Sequence, residues 1–369
     1  MKTELSTQSI RQHLGIEGHM IIAGPCSAES HEQVMATARQ LAATGKTHLF
    51  RAGIWKPRTR PNSFEGVGTQ GLSWLQDVKK ETGLAVTTEV ANAQHVEQAL
   101  KHDIDVLWIG ARTTVNPFSV QEIADALKGI DIPVMVKNPI NPDLALWLGA
   151  LERLNQAGIK HLAAIHRGIS SAEPSPFRNQ PNWEMGIKLK TIVPDLEVIC
   201  DPSHIAGARE LIPFISQKAI DLDMDGLMIE THVNPDTALS DARQQVKPNA
   251  LEQILSELVY RRPETNNVAF NDTLEKMREQ IDQIDDDIIQ QLSARMQLSE
   301  QIGIHKRENE ITVFQPNRWN RILEERTRLG KTLGLSPVFI ERILDAVHGE
   351  SIRRQNEVMI KREHEAPQK

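Results

Sequence analysis

The stretch Met20–Glu29, MIIAGPCSAE, holds a short β-branched apolar run that ends in Gly24 and Pro25 and is followed at once by Cys26. A doubly wound open sheet usually carries a glycine-rich dinucleotide fingerprint after its first strand, and GPCSAE is not one. Working outward, seven more runs of the same kind follow: HLFRAG (48–53), AVTTEV (85–90), VLWIGA (106–111), VMVKN (134–138), HLAAIHR (161–167), EVICD (197–201) and GLMIET (226–231). Amphipathic helical patterns lie between most of them, such as HEQVMATARQLAATG and PDLALWLGALERLNQAG, each closed by a glycine. Eight strand–helix alternations within about 250 residues predict an α/β fold, a parallel (β/α)8 TIM barrel over 1–260. The open sheet is the alternative.

The residues at or just past the strand ends are Cys26, Arg51 with Lys56, Glu89, Arg112, Lys137, His166 with Arg167, His204 and Glu230. Every run ends in a group that carries charge or binds metal, while the strand bodies are apolar. A parallel barrel builds its active site at this face. Arg51, Lys56, Arg58, Arg112, Lys137 and Arg167 would repel one another unless anions bind between them, so at least one phosphorylated acid is expected as substrate. Cys26, His204, Glu230 and Asp241 form a second set. A thiolate, an imidazole and two carboxylates suit a divalent transition metal. Cys200 sits inside a strand and reads as buried structure. Lys137 leaves a Schiff-base aldolase open as a competing chemistry.

The whole chain has 369 residues and a formal net charge of −7, with 42 Lys and Arg against 49 Asp and Glu. That balance argues against a general nucleic-acid binder. No apolar run is long enough to span a membrane, and the N-terminus lacks the apolar core of a secretory signal. Two cysteines make a disulfide framework unexpected, and a cytoplasmic location is the expectation.

Residues 261–272, RRPETNNVAFND, read as a linker. Beyond it the pattern changes to all-helical over 273–369. Leu274, Met277, Ile281, Ile284, Ile288 and Leu292 recur at three- and four-residue spacing on a helix reaching about Arg307. A second helix is expected from about Pro316 to Gly330, and a third from Pro337 to about Ile360. So long a first helix needs partner helices. From Asp272 onward there are 16 basic and 18 acidic residues, which disfavours a DNA-binding module.

The motifs GPCS, RAGIWKPRTRP, IGART, VKNP, HRG, DPSH and ETH, in this order, resemble the 3-deoxy-D-arabino-heptulosonate 7-phosphate (DAHP) synthases of type I beta, over roughly 18–258. The related octulosonate synthases typically read KANR where this chain has KPRT. The resemblance implies condensation of phosphoenolpyruvate with erythrose 4-phosphate. It implies that Arg51, Lys56, Arg112, Lys137 and Arg167 hold phosphoenolpyruvate, that Arg58 and Thr59 hold the aldose phosphate, and that Cys26, His204, Glu230 and Asp241 ligate Mn2+ or another divalent transition metal. Lys56 and His204 are both candidates for proton transfer. Only a short segment precedes GPCS, so the N-terminal regulatory domain of some members is expected to be absent.

LEKMREQIDQIDDDIIQQLSAR and ESIRRQ resemble the all-helical AroQ-class chorismate mutases, over roughly 272–360. The resemblance implies a three-helix domain in which Arg278, Arg295, Lys306, Gln315, Arg318, Ser351 and Gln355 bind chorismate or prephenate, with Lys306 and Gln355 at the ether oxygen. It implies an intertwined homodimer, or a larger assembly, in which Arg278 reaches the other chain's site. An aspartate and a glutamate often found near the substrate hydroxyl appear here as Gln315 and Trp319. Gln315 can hydrogen-bond; Trp319 cannot accept. The combined expectation is a bifunctional enzyme of the shikimate route whose helical domain also senses prephenate. The alternative is a synthase with a non-catalytic dimerising or regulatory tail.

Overall fold

The computed structural model describes residues 5–56, 64–171, 174–262 and 264–360. The chain divides into two compact units, Met1–Pro263 and Glu264–Lys369. In the first unit, eight strands close into a barrel: β1 Met20–Gly24, β2 Leu49–Arg51, β3 Ala85–Val90, β4 Val106–Ile109, β5 Val134–Lys137, β6 Leu162–His166, β7 Glu197–Cys200 and β8 Gly226–Glu230. All neighbours pair in parallel, and β1 closes on β8 from Met20↔Gly226 to Gly24↔Glu230. Each of the eight apolar runs forms a strand, so the barrel holds and the open sheet does not.

Side chains alternate across each strand. One parity fills the barrel interior: Met20, Ile22, Leu49, Val106, Trp108, Met135, Ala163, Ile165, Ile199 and Met228. The other parity, including Phe50, Val86, Leu107, Val136, Ala164, Val198 and Leu227, packs under the helical layer. That layer starts and stops where the sequence carries caps. The helix His31–Thr44 opens on Ser30, whose side chain accepts from the Gln33 N–H, and stops at Gly45 with φ 62°. The helix Leu144–Gln156 opens on Asp143 in the same way.

The parity of β6 and β7 decides which polar strand ends enter the barrel mouth. His166 faces the helices, where its Nε2 bonds the Pro181 carbonyl and its ring lies between Trp147 and Trp183. Arg167 and Asp201, one residue further along, belong to the interior parity. Cys200 faces the helical layer and is fully buried.

The described residues of the second unit form three helices: the long helix Val268–Glu308, the middle helix Pro316–Thr332 and the last helix Pro337–Ile360. The long helix begins inside the stretch expected to be linker. The Asn267 side chain accepts from the Phe270 N–H, and this cap starts the helix five residues before Thr273. The long and last helices approach closely at Gly303, where an added Cβ would stand 3.0 Å from the Gln355 Cα. No described helix is long and apolar enough to cross a membrane.

Candidate active sites

At the barrel mouth the interior parity delivers Arg51, Glu89, Lys137, Arg167, Asp201 and Glu230 from six strand ends. Arg51 and Glu230, both fully buried, form an ion pair at 3.3 Å. The Arg51 guanidinium lies over the Trp108 ring at 5.0 Å, and its Nε and Nη1 are buried without a hydrogen-bond partner. Unsatisfied buried donors on a cation point to an anion that they bind. Gly24, with φ 144°, lets β1 run against the Arg51 carbonyl, where any Cβ would collide.

Lys137 Nζ donates to Asp201 Oδ2 at 2.7 Å. The same oxygen lies 2.8 Å from His204 Nδ1, and Asp201 Oδ1 accepts from the His204 backbone N–H. Burial opposes ionisation of Asp201, but His204 and Lys137 outweigh it and hold this carboxyl well below its usual range. His204 sits on the short helix Pro202–Ala206, with its Nε2 3.8 Å from Glu230 Oε1. Burial lowers its pKa, against the opposing pull of Asp201 and Glu230.

Cys26, Glu230 and Asp241 bring ligand atoms within 4.8 Å of one another. Lys56 Nζ donates to Cys26 Sγ at 3.2 Å, and Cys26 Sγ lies 3.4 Å from Asp241 Oδ2. Asp241 adopts φ 49°, a left-handed conformation that turns its carboxylate inward. Arg178 Nη1 donates to Asp241 Oδ1 at 2.9 Å and to Gln244 Oε1, while Gln244 Nε2 donates to Glu230 Oε2 at 2.7 Å. Glu230 Oε1 is buried and accepts no hydrogen bond. A thiol, two carboxylates and an adjacent imidazole fit a divalent transition metal. The residues around them fix their orientation.

Beside this cluster lies a cavity of about 320 Å³ lined by Arg112, Lys137, Arg167, Arg178, Glu89 and His204, among others. Arg112 comes from the short helix Ala111–Thr114 and is exposed. Arg167 is nearly buried, and its Nη1 donates to Asn179 Oδ1 at 2.9 Å. Burial draws its guanidinium down to about 10. Arg58 and Thr59 lie outside the described residues. The sequence reading missed Asp201, Arg178 and Gln244. Asp201 stood in the quoted DPSH motif; Arg178 and Gln244 carried no local signal.

In the helical unit, Arg295 Nη1 donates to Ser351 Oγ at 2.5 Å. Lys306 Nζ donates to the Val313 carbonyl at 2.6 Å. Gln355 is buried beside Gly303, with its Oε1 unpartnered. Arg295, Ser351 and Gln355 therefore share the interface of the long and last helices, while Lys306 bonds the turn that follows the long helix. Gln315 caps the middle helix by position without a side-chain bond, and Arg318 is exposed on its first turn. Arg278 does not join them: it is exposed and paired with Glu275. Seventeen residues of helix separate it from Arg295, about 25 Å.

The description "DAHP synthetase I family" matches residues 5–264, and "chorismate mutase type II" matches 277–356. The chain belongs to the DAHP synthetase I family. It is a bifunctional enzyme of the shikimate route, with a DAHP synthase domain, a transferase, followed by a chorismate mutase domain, an isomerase. Phospho-2-dehydro-3-deoxyheptonate aldolase of Thermotoga maritima is 31% identical over 238 residues, covering 64% of this chain and 68% of that protein. A 2-dehydro-3-deoxyphosphooctonate aldolase of Acidithiobacillus ferrooxidans is 28% identical over 254 residues, covering 64% and 86%. The solved DAHP synthase from Thermotoga maritima superposes with TM-score 0.62 at 27% identity, covering 70% of this chain and 76% of that one.

Proposed function

We propose that the barrel condenses phosphoenolpyruvate with erythrose 4-phosphate and depends on a divalent transition metal, Mn2+ or a close relative. The observation that carries this reading is the cationic cavity beside the Cys26, Glu230 and Asp241 cluster. Arg51, Arg112, Lys137 and Arg167, with Lys56, neutralise the phosphate and carboxylate of the enol phosphate and fix its double bond towards the aldose. Cys26, His204, Glu230 and Asp241 would hold the metal, which supplies Lewis-acid polarisation of the aldose carbonyl oxygen. Carbon-3 of the enol phosphate bonds to the aldehyde carbon, water adds at carbon-2, and inorganic phosphate leaves. The cationic side chains stabilise charge on that phosphate as it departs. Lys56, donating to Cys26 Sγ, and His204 are the groups placed to move a proton at the aldose oxygen.

The test is consumption of phosphoenolpyruvate with erythrose 4-phosphate, after chelation and again after Mn2+ is restored. Arabinose 5-phosphate, run in parallel, separates this reading from an octulosonate synthase. The sequence KPRT favours the four-carbon aldose.

For the helical unit we propose that Arg295, Lys306, Ser351 and Gln355 bind chorismate and that two copies of the chain form each pair of sites. Met277, Ile281, Ile284 and Ile288 repeat along one stripe of the long helix, each at least half exposed. A groove of about 660 Å³ lined by Ile289, Leu292, Met296 and Val347, among others, continues this apolar surface between the long and last helices. A second long helix covers such a stripe, and brings its own Arg278 to a site this chain leaves without it. The rearrangement needs no covalent catalyst. Cations hold the two carboxylates in the reactive conformer, while Lys306 and Gln355 stabilise charge growing on the ether oxygen. Prephenate bound at the same place is the feedback signal to the barrel, and synthase rates at rising prephenate test that link.

A further inference from the structure

The helical unit contains a histidine with no role in the reading above. His348 precedes Ser351 by three residues and Gln355 by seven on the last helix, so the three project from one face. Its ring stacks on the Trp319 indole, with centroids 3.9 Å apart and planes 11° from parallel. Phe314 lies at 5.9 Å on a tilt. Burial first, then the charges of Arg295 and Lys306, lower its pKa against the opposing pull of Asp345. The imidazole is thus within electrostatic reach of both cations. Its Nε2 is buried without a hydrogen-bond partner, as is Gln355 Oε1 on the same face.

Chorismate presents two carboxylates, an ether oxygen and one neutral ring hydroxyl. The cations suit the carboxylates, and Lys306 with Gln355 suits the ether. The ring hydroxyl needs a partner able to donate or accept, and no carboxylate stands at Gln315 or Trp319 to do so. Trp319 has only an N–H to offer, and Gln315 is exposed. The stack on Trp319 restricts the plane of the His348 ring before any ligand binds.

We propose that His348 contacts the substrate, its Nε2 hydrogen-bonding the ring hydroxyl of chorismate and making the site select for that hydroxyl. The proposal rests on the reading of Arg295, Lys306, Ser351 and Gln355 as the chorismate site.

The experiment compares kcat/KM for chorismate and for an analogue lacking the ring hydroxyl, on the full chain. The variants are His348→Phe, which keeps a ring against Trp319, and His348→Gln, which keeps a hydrogen-bonding group. The expected result is a preference for chorismate that falls about tenfold in His348→Phe, through chorismate alone, and largely returns in His348→Gln. His348→Leu reads the same ratio should the Phe variant fold poorly. An unchanged ratio, or equal losses on both substrates, overturns the proposal and leaves His348 a packing residue. Arg295→Ala is the separate control. If it leaves chorismate turnover intact, the site itself has been misassigned.

Discussion

Lys137 and Asp201 meet end to end at 2.7 Å inside the barrel mouth, both buried, and Asp201 extends the contact to His204. One carboxylate therefore fixes the Lys137 side chain and the His204 imidazole together.

Asp201→Asn keeps the size of the side chain and removes its charge. Breaking a buried ion pair costs about 3–5 kcal/mol. Loss of a partner that orients a metal ligand costs about 10–100-fold in metal affinity or activity. The expected outcome is a lower melting temperature with a Mn2+ affinity, read by titration, weakened within that range. Unchanged Mn2+ binding would show that His204 is oriented by something else.

His166 sets a pH dependence of stability. Burial lowers its pKa from 6.5 to about 4, although its bond to the Pro181 carbonyl opposes the shift. Between these values the unfolded chain binds a proton that the folded chain does not. Stability from this residue is full above pH 6.5 and is lost as pH falls towards 4, by about 3 kcal/mol in all. Denaturant midpoints across that window should show the slope, and His166→Phe should flatten it.

Arg278 and Arg295 test the paired sites. Arg278→Ala and Arg295→Ala, each alone, are expected to lower mutase kcat/KM at least about a hundredfold, as loss of a charge-binding donor does. Mixed and allowed to exchange, the two variants form dimers with one intact site, and about a quarter of wild-type activity should return under random assembly. No recovery on mixing, with exchange shown by mass, would place Arg278 outside the partner's site.

Gly303 bounds the approach of the long and last helices. Gly303→Val drives methyl groups against the Gln355 backbone, already 3.0 Å from an added Cβ. Overpacking of this kind costs about 1–3 kcal/mol. Mutase turnover should fall while phosphoenolpyruvate consumption by the barrel at zero prephenate stays near wild type. A matching loss in the barrel would reveal a dependence of one unit on the other.

The sequence by itself determined the eight strands, the switch to helices and the polar strand ends. Apolar runs with β-branched residues, and helices bracketed by Ser30, Asp143 and Gly45, are local signals that need no distant partner. It also put Arg295 with Lys306 on one helical face and Ser351 with Gln355 on another, because helical spacing carries a face directly, while their binding of chorismate is what the family resemblance implies. Only the tertiary structure decided which of two adjacent polar residues enters the barrel. His166 and Arg167 differ by one position, as do Cys200 and Asp201, and a strand's inward parity is set by its register with neighbours. The same holds for Arg178 and Gln244. They reach Asp241 and Glu230 from loops far apart in the chain or irregular in form, where neither period nor motif records the contact. The stack of Trp319 on His348 joins two helices, so its geometry too exists only in the fold.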